Sequence, residues 1–280
     1  MSSARQKGVL ECGGRVLRLD RTLLMGVVNV TPDSFSDGGL FLDPAKAVAH
    51  ARLLVDDGAD ILDIGAESSR PGSDPVSENL EWERLGPVLE RLLRDVDVPV
   101  SVDTYKAQTA ECALRMGAHM INDISGLSDP AIVETVARHG VPVVIMHMRG
   151  HPKTMQQNIH YDDVVEEVKT FLEERARIAA RAGIRQVIVD PGIGFGKRLE
   201  HNLELLRRLG ELAALPYPLL VGPSRKSFLG ALTGAPVTDR LEATLAAVTA
   251  AVLGGADIVR VHDVKECRQA VLIADAVRGA

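Results

Sequence analysis

Eight apolar runs, each followed by a polar residue, constrain the fold of this chain more than any other feature of its sequence. The first run, residues 25–28, ends at Asn29 and passes into a polar loop closed by Gly38 and Gly39. The other seven runs end on residues that can hydrogen-bond, carry charge or transfer protons: Asp63, Asp103, Asn122 with Asp123, His147, Asp190, Ser224, and Arg260 with His262. Helical patterns separate most of the runs. This order predicts an α/β fold, a (β/α)₈ TIM barrel whose carboxyl rim forms a single site.

The alternative fold is a doubly wound open sheet, because it uses the same alternation of strands and helices. Eight units with a polar end on every strand favour the barrel, and continuous apolar runs are typical of strands buried on both faces. Helices are predicted at 44–57, 77–94, 106–116, 129–138, 161–182, 201–213, 238–253 and 264–277. We expect residues 1–280 to form a single barrel domain, since such barrels need about 250 residues.

A short hairpin is predicted ahead of the first barrel strand. Residues 9–12 and 15–19 flank Gly13 and Gly14, and a two-residue glycine turn suits a tight β-hairpin. We expect this hairpin to close the amino-terminal end of the barrel.

Composition narrows the classes of partner. The formal charge is −6 and no block of Lys and Arg stands out, which argues against nucleic acid and anionic membranes and favours small molecules. Cys12, Cys112 and Cys267 are odd in number and lack CxxC spacing, so neither a disulfide framework nor a zinc site is expected. The first residues have no apolar core, and no apolar run approaches the roughly 18 residues of a membrane span. The sequence therefore predicts a cytoplasmic protein.

The glycine-rich segment 190–197 invites a phosphate-loop interpretation that its spacing does not support. A Walker loop needs glycine where Pro191 stands and a hydroxyl residue where Arg198 stands, and a dinucleotide fingerprint needs glycine where Lys197 stands. What remains is a glycine-lined wall that presents Phe195 beside Asp190. Taken alone, Asp190 fits an Asx-turn residue better than a ligand contact.

Four residues at the predicted rim suit a heterocycle with several N–H donors. Asp103, Asn122 and Asp190 offer two carboxylates and an amide, and Lys226 adds a cation on a neighbouring loop. A guanidine-like ring edge fits such acceptors. Each carboxylate could instead belong to a structural ion pair.

Two further groups could hold an anion. Arg225, Lys226 and two serines follow a strand directly, although an exposed basic turn is the alternative. Arg260 and His262 alternate on the last strand, so both side chains point to the same face. An outward charge would face helices, so we expect both to point inward and to meet Asn29.

Two loops of the rim carry polar and flexible residues. Arg70 lies in a loop with glycine, proline and hydroxyl groups, and Asp33 and Asp37 lie in an acidic loop that suits a lid or a magnesium contact. Either loop could be no more than a flexible connection.

Seven motifs, taken together, make the chain resemble the dihydropteroate synthase family over nearly its whole length. They are GVVNVTPDSFSDG at 26–38, ESSRPG at 67–72, DTYK at 103–106, INDISG at 121–126, DPGIGFGK at 190–197, SRKSFLG at 224–230 and RVH at 260–262. The resemblance implies the (β/α)₈ barrel and a homodimer. It also implies the condensation of p-aminobenzoate with 7,8-dihydropterin-6-ylmethyl diphosphate to dihydropteroate, with diphosphate released in folate synthesis.

The same resemblance assigns roles to residues of this chain. The pterin would be held by Asp103, Asn122, Asp190 and Lys226. The diphosphate would be held by Asn29, Arg260 and His262, with Mg²⁺ contacting Asn29. The p-aminobenzoate pocket would be formed by Ser68, Arg70, Pro71, Phe195, Ser227 and Phe35. The residues implied in catalysis are Lys226, Asp103, Asp190 and Asp33.

Two alternatives remain open from the sequence. A pterin-dependent methyltransferase domain resembles this barrel but does not need the Ser-Arg-Lys-Ser run or a diphosphate pocket. A catalytically silent pterin-binding paralogue is the other, although every rim motif is filled. Ser69 stands where many relatives have threonine, which could alter loop packing but is not expected to abolish function.

Overall fold

The computed structural model describes residues 8–31 and 44–279. Within these ranges the strands are β1 Val9–Cys12, β2 Arg15–Arg18, β3 Leu23–Asn29, β4 Ile61–Gly65, β5 Val100–Asp103, β6 Met120–Asp123, β7 Val143–Met146, β8 Val187–Asp190, β9 Leu220–Val221 and β10 Ile258–Val261. The helices are α1 Pro44–Asp56, α2 Glu78–Asp95, α3 Ala107–Met116, α4 Pro130–His139, α5 Val164–Arg181, α6 Leu199–Arg207, α7 Leu209–Ala213, α8 Ser227–Thr233, α9 Leu241–Leu253 and α10 Val264–Arg278.

Eight parallel strands form the predicted barrel. Their order is β8-β7-β6-β5-β4-β3-β10-β9, and every neighbouring pair is parallel. An isolated parallel bridge between Val189 and Leu219 joins the two outer strands and closes the ring. The (β/α)₈ prediction is therefore confirmed, and the open sheet is excluded.

The predicted hairpin is present and covers the amino-terminal end of the barrel. Gly13 and Gly14 adopt φ of 58° and 86°, which a two-residue type I′ turn requires and which glycine adopts without strain. Leu10 and Cys12 of β1 are buried in one cluster with apolar residues of the barrel interior, among them Met25. The hairpin thus supplies the bottom layer of the interior core.

Local signals set most helix boundaries. The Ser77 side chain accepts from the Leu80 N–H at the start of α2, and Asp129 caps α4 directly before a proline. Gly140 ends α4 with φ of 66°. None of the helices formed by residues 8–31 and 44–279 is long and apolar enough to cross a membrane.

Several boundaries differ from the sequence prediction. The predicted helix at 201–213 is two helices, because the backbone turns at Arg208 with φ of −103° and ψ of 20°. Strand β4 does not end at Asp63 but continues to Gly65, so Asp63 lies inside the barrel wall. The segment after Ser224 begins a complete short helix at Ser227.

The alternation of strand side chains places the site. In β4, β5 and β6, the residues that share the inward parity of Ile61 and Met120 include Asp63, Asp103 and Asn122. The lower inward positions are apolar and pack on the hairpin, except for the buried Ser101 of β5, and the outward positions pack on the helices in the main core cluster. The polar inward positions therefore collect at the carboxyl end of the barrel.

Candidate active site

The floor of the barrel mouth is built from aligned strand ends. Asn29 pairs with Gly65, Gly65 with Asp103, and Asp103 with Asn122, so these four residues lie side by side across four strands. A side chain at Gly65 would press on the Asp103 side chain, since an added Cβ would lie 3.2 Å from the Asp103 Cβ. The missing side chain leaves space between the Asn29 amide and the Asp103 carboxylate.

Arg260 reaches across the barrel to two carboxylates. Its Nε donates to Asp63 Oδ2 at 2.6 Å and its Nη2 donates to Asp103 Oδ2 at 2.9 Å. Asn122 Nδ2 also donates to Asp63 Oδ2, at 2.9 Å. The Asp63 side chain is 0% exposed and that of Arg260 is 19% exposed, so this ion pair is shielded from water. The inward direction predicted for Arg260 is confirmed.

The charges around Asp103 oppose one another. Burial raises the pKa of Asp103 to about 7, the Arg260 charge lowers it, and the nearby Asp63 charge raises it. Burial also raises the pKa of Asp190 to about 6, although its Oδ1 accepts from the Gly192 N–H at 2.7 Å. Asp190 therefore makes the Asx turn considered from the sequence and still faces the site. Both carboxyl groups titrate near neutral pH, where small changes in nearby charge alter their protonation.

Lys226 lies above Phe195 and faces the same carboxylates. Its Nζ is 3.9 Å from the centre of the Phe195 ring, a cation–π contact. Burial and the Arg260 charge lower the pKa of Lys226 to about 8, against the charges of Asp190 and Asp103, which favour the charged form. The predicted wall of segment 190–197 is thus present and supports a cation.

The backbone of the loop between β9 and α8 reverses direction at Arg225. This residue has φ of 57°, a left-handed conformation that is uncommon outside glycine. Its side chain forms an ion pair with Asp263, and Arg240 Nη1 donates to the Arg225 carbonyl at 3.1 Å. This reversal of the backbone lets Ser224 face β10 while Lys226 faces Phe195.

His262 is neutral and hydrogen-bonded. Burial, together with the Arg260 and Arg225 charges, lowers the pKa of His262 to about 3. Ser224 Oγ accepts from the His262 backbone N–H at 3.2 Å and lies 2.9 Å from the His262 Nδ1. Either partner can donate in the Oγ–Nδ1 contact; in the tautomer in which the serine hydroxyl donates, the imidazole N–H lies on Nε2. His262 can offer an anion a hydrogen bond but not a charge.

Lys197 fixes the glycine wall from beneath. Its Nζ donates to the carbonyls of Gly192 and Phe195, each at 3.0 Å, and lies 2.9 Å from His147 Nδ1. Burial lowers the pKa of Lys197 to about 7, which the Asp190 charge opposes. His147, considered from the sequence as a strand-end functional group, therefore contacts a lysine rather than the mouth of the barrel.

The loop between β4 and α2 carries three of the predicted p-aminobenzoate residues. Ser68 is half-buried, and Arg70 and Pro71 are exposed. Ser73 Oγ donates to the carbonyls of Ser68 and Arg70, at 2.5 and 2.8 Å, which holds the loop in a compact turn. The Gly72 N–H donates to the Pro152 carbonyl at 3.0 Å, so the loop also rests on the segment after β7.

Comparisons with known proteins agree with this geometry. The sequence model of the family described as "Pterin binding enzyme" matches residues 25–262. A dihydropteroate synthase of Synechocystis is 46% identical over 261 residues, which cover 92% of this chain and 90% of that protein. The chain belongs to the dihydropteroate synthase family.

Solved structures of dihydropteroate synthases share the whole fold. The Yersinia pestis dihydropteroate synthase with a sulfonamide drug complex superposes with a TM-score of 0.93 at 44% identity, covering 98% of this chain and 100% of that one. The Xanthomonas albilineans dihydropteroate synthase with 4-aminobenzoic acid gives 0.92 at 45% identity, with the same coverage. The resemblance inferred from the seven motifs is thereby confirmed.

The described residues offer few protein ligands for the magnesium ion expected for a dihydropteroate synthase. Among residues 8–31 and 44–279, no group of three His, Cys, Asp or Glu residues could hold a metal ion. Asn29 offers one amide oxygen at the end of β3. This donor set fits Mg²⁺, which keeps several waters and is bound by one or two protein oxygens together with substrate phosphates.

Some predicted site residues lie outside the described part of the chain. These are Asp33 and Phe35, together with the rest of the acidic loop at 32–43. Asp63 and Lys197 are functional neighbours that sequence reasoning did not assign. Asp63 points inward like Asp103, and this alternation could have indicated its role. No local sequence pattern predicts that Lys197 donates to several backbone carbonyls.

Proposed function

We propose that the mouth of this barrel is where the chain catalyses the dihydropteroate synthase transfer. The chain joins p-aminobenzoate to 7,8-dihydropterin-6-ylmethyl diphosphate and releases 7,8-dihydropteroate and diphosphate. The observation that carries the site is the convergence of Asp103, Asn122 and Asp190 with two cations, Arg260 and Lys226, at one end of the barrel. Acceptors and cations in one cleft match a substrate with an N–H edge at one end and a diphosphate at the other.

The pterin would be held by the carboxylates and the amide. Asp190 and Asp103 accept hydrogen bonds when ionised, and Asn122 both accepts and donates. Lys226 would donate to the ring carbonyl of the pterin from above Phe195. Its lowered pKa, about 8, leaves it charged at neutral pH but easier to desolvate than an ordinary lysine.

The leaving diphosphate would lie towards Asn29, His262 and Arg260. Arg260 uses its Nε and Nη2 on carboxylates, and its Nη1 forms no hydrogen bond to the described residues, so it can donate to a diphosphate oxygen. Neutral His262 would donate from Nε2. Mg²⁺ held by Asn29 would neutralise charge on the diphosphate, as divalent ions do for leaving phosphates.

The p-aminobenzoate would bind over Phe195, beside Ser227 and the loop that carries Ser68, Arg70 and Pro71. Phe195 is buried as part of an apolar cluster and offers a ring face, while Ser227 is exposed at the start of α8. Arg70 is an exposed cation that suits the substrate carboxylate. We also assign Phe35 and Asp33 to this site, on the loop that would complete the pocket and with Asp33 in a catalytic role.

The chemistry then needs little beyond orientation and charge. The bond between the methylene carbon and the diphosphate oxygen breaks with its electron pair leaving on oxygen, and the arylamine nitrogen forms the new carbon–nitrogen bond and loses one proton. The carboxylates of Asp103 and Asp190 lie at the pterin end, and that of Asp63 is buried behind them against Arg260. In their ionised forms Asp103 and Asp190 would stabilise positive charge that develops on the pterin methylene.

The test is a reconstituted assay. Purified protein is incubated with dihydropterin diphosphate, Mg²⁺ and labelled p-aminobenzoate, and labelled dihydropteroate is measured. Lys226→Ala is expected to weaken pterin binding and condensation together, whereas Ser227→Ala is expected mainly to raise the KM for p-aminobenzoate. A methyltransferase or a silent paralogue would form no dihydropteroate at any substrate concentration. Sulfonamides are expected to compete with p-aminobenzoate in the same assay.

We further infer that the chain is one domain that works as a homodimer in the cytoplasm. Exposed apolar side chains on α9 and α10, namely Leu253, Leu272, Ile273 and Val277, support a contact between two copies. The three cysteines are free, which suits a reducing compartment. Light scattering on the purified protein would give a monomer mass if the homodimer is wrong.

A further inference from the structure

A lysine shared by two buried carboxylates stands beside the substrate-facing residues. Lys106 Nζ contacts Glu67 Oε2 and lies 3.1 Å from Glu81 Oε2. The three side chains are 10%, 9% and 2% exposed, in the order Lys106, Glu67 and Glu81. Thr109 Oγ1 donates to Glu81 Oε2 at 2.8 Å. Because buried charges are costly unless they are paired and hydrogen-bonded, these contacts fix the positions of all three ions.

Glu67 uses its carboxylate to close the base of the β4–α2 loop. The same Oε2 that contacts Lys106 accepts from the Val76 N–H at 2.9 Å. Residues 67 and 76 are the two ends of the segment that carries Ser68, Arg70 and Pro71. One carboxylate therefore ties both ends of the proposed p-aminobenzoate loop to the lysine at the start of α3.

Tyr105 connects the closed base of the β4–α2 loop to the apolar cluster that contains Phe195. Its hydroxyl donates to Glu67 Oε1 at 2.5 Å, and its ring packs against the apolar cluster that contains Met146 and Phe195. Tyr105 and Lys106 follow Asp103 by two and three residues, so both belong to the end of the strand that carries the pterin carboxylate. The β4–α2 loop, this apolar cluster and the end of β5 are thus joined through the Glu67 carboxylate.

We propose that Glu67, Tyr105 and Lys106 are positioning residues that set the p-aminobenzoate site at a fixed place relative to the pterin site. The proposal rests on the proposed function, since it assigns a task to residues that touch neither substrate. Glu67 holds the loop closed, Lys106 supplies the counter-charge, and the Tyr105 hydroxyl aligns the loop with Phe195. Because the loop is already ordered, the arylamine binds at a fixed distance from the pterin methylene.

The physical consequence is a selective effect on one substrate. Loosening the loop leaves Asp103, Asn122 and Asp190 in the barrel wall, so pterin binding stays unchanged. The p-aminobenzoate pocket must then be ordered at the time of binding, which lowers affinity for that substrate. A residue that serves only stability would instead reduce the amount of folded protein and leave both KM values as they are.

The experiment compares Tyr105→Phe and Glu67→Gln with a matched control. Tyr105→Phe keeps the ring and removes the hydroxyl, and Glu67→Gln keeps the shape and removes the charge. Asp275→Asn is the control, because Asp275 is a buried carboxylate that accepts from the Thr22 N–H and hydroxyl, at 2.9 and 2.8 Å, at the opposite end of the barrel. Thermal unfolding, both KM values and kcat are measured for the four proteins.

Both site variants are expected to raise the KM for p-aminobenzoate on the order of 10-fold, while the KM for dihydropterin diphosphate stays within about twofold. Asp275→Asn is expected to lower the unfolding temperature without changing either KM. If Glu67→Gln does not fold, Tyr105→Phe decides the result, since it removes a single hydroxyl.

Two outcomes would overturn the proposal. One is an unchanged KM for p-aminobenzoate in the folded variants, and the other is an equal rise in both KM values. Failure of the proposed function is distinguishable from these, because the wild-type protein would then form no dihydropteroate.

Discussion

Replacing Asp63 with asparagine removes the carboxylate that accepts hydrogen bonds from both Arg260 and Asn122. Both hydrogen bonds, at 2.6 and 2.9 Å, end on Asp63 Oδ2, and Oδ1 has no partner among the described residues. Asn can therefore keep both bonds with its carbonyl oxygen at the Oδ2 position, and what the substitution removes is the negative charge. Arg260 keeps only the Asp103 carboxylate as a counter-charge.

The size of the effect follows from the loss of that charge. A hydrogen bond to a charged group contributes about 1.5–3 kcal/mol and one between neutral groups about 0.5–1.5 kcal/mol, so we expect the free energy of unfolding to fall by about 1–2 kcal/mol and the unfolding temperature by about 2–8 °C. Because the Asp63 charge helps raise the pKa of Asp103, its removal lowers that pKa. We expect kcat/KM for dihydropterin diphosphate to fall on the order of 10-fold, because Arg260 loses one of the two counter-charges that orient it.

The assay combines thermal unfolding with the pH dependence of kcat/KM for the wild-type and D63N proteins. The acidic limb of the profile is expected to move to lower pH in D63N, while Asp275→Asn should lose stability without moving it. A D63N protein with unchanged unfolding temperature, kcat/KM and acidic limb would refute this account of the Arg260 ion pairs.

The remaining predictions concern the groups around Lys226. With pKa values of about 7 for Asp103, about 6 for Asp190 and about 8 for Lys226, kcat/KM for dihydropterin diphosphate should fall below about pH 7, as Asp103 and then Asp190 are protonated, and above about pH 8, as Lys226 loses its charge. A flat profile would contradict these roles. Gly194→Ala should raise the KM for dihydropterin diphosphate, since Gly194 has φ of 83° and an added Cβ would lie 2.9 Å from Lys226 Cδ; wild-type kinetics would show that Lys226 can move freely. For Lys197, the folded pKa of about 7 lies below the ordinary 10.5, so the unfolded chain binds more protons between these values and this group makes stability rise with pH there. Denaturant unfolding at several pH values should show that rise in the wild type relative to K197M, and parallel curves would disprove it.

The sequence by itself determined the barrel and most of its rim. Strand periodicity is local, so an apolar run that ends at Asn29 or Asp190 predicts both a buried strand and a polar group at its carboxyl end. The hairpin could be predicted for the same reason, because Gly13 and Gly14 meet the φ requirement of its turn without help from the rest of the chain. The break at Arg208 was missed, since an apolar pattern continues through it.

The tertiary structure alone decided which charges meet. Arg260 and Asp63 are 197 residues apart and face each other only because the barrel closes. Lys106, at the start of α3, contacts Glu81 because α2 and α3 pack side by side, and contacts Glu67 because β4 and β5 are adjacent strands. The sequence around a charged residue does not identify its ion-pair partner. Burial and distance set the energy of an ion pair, and both are properties of the closed fold.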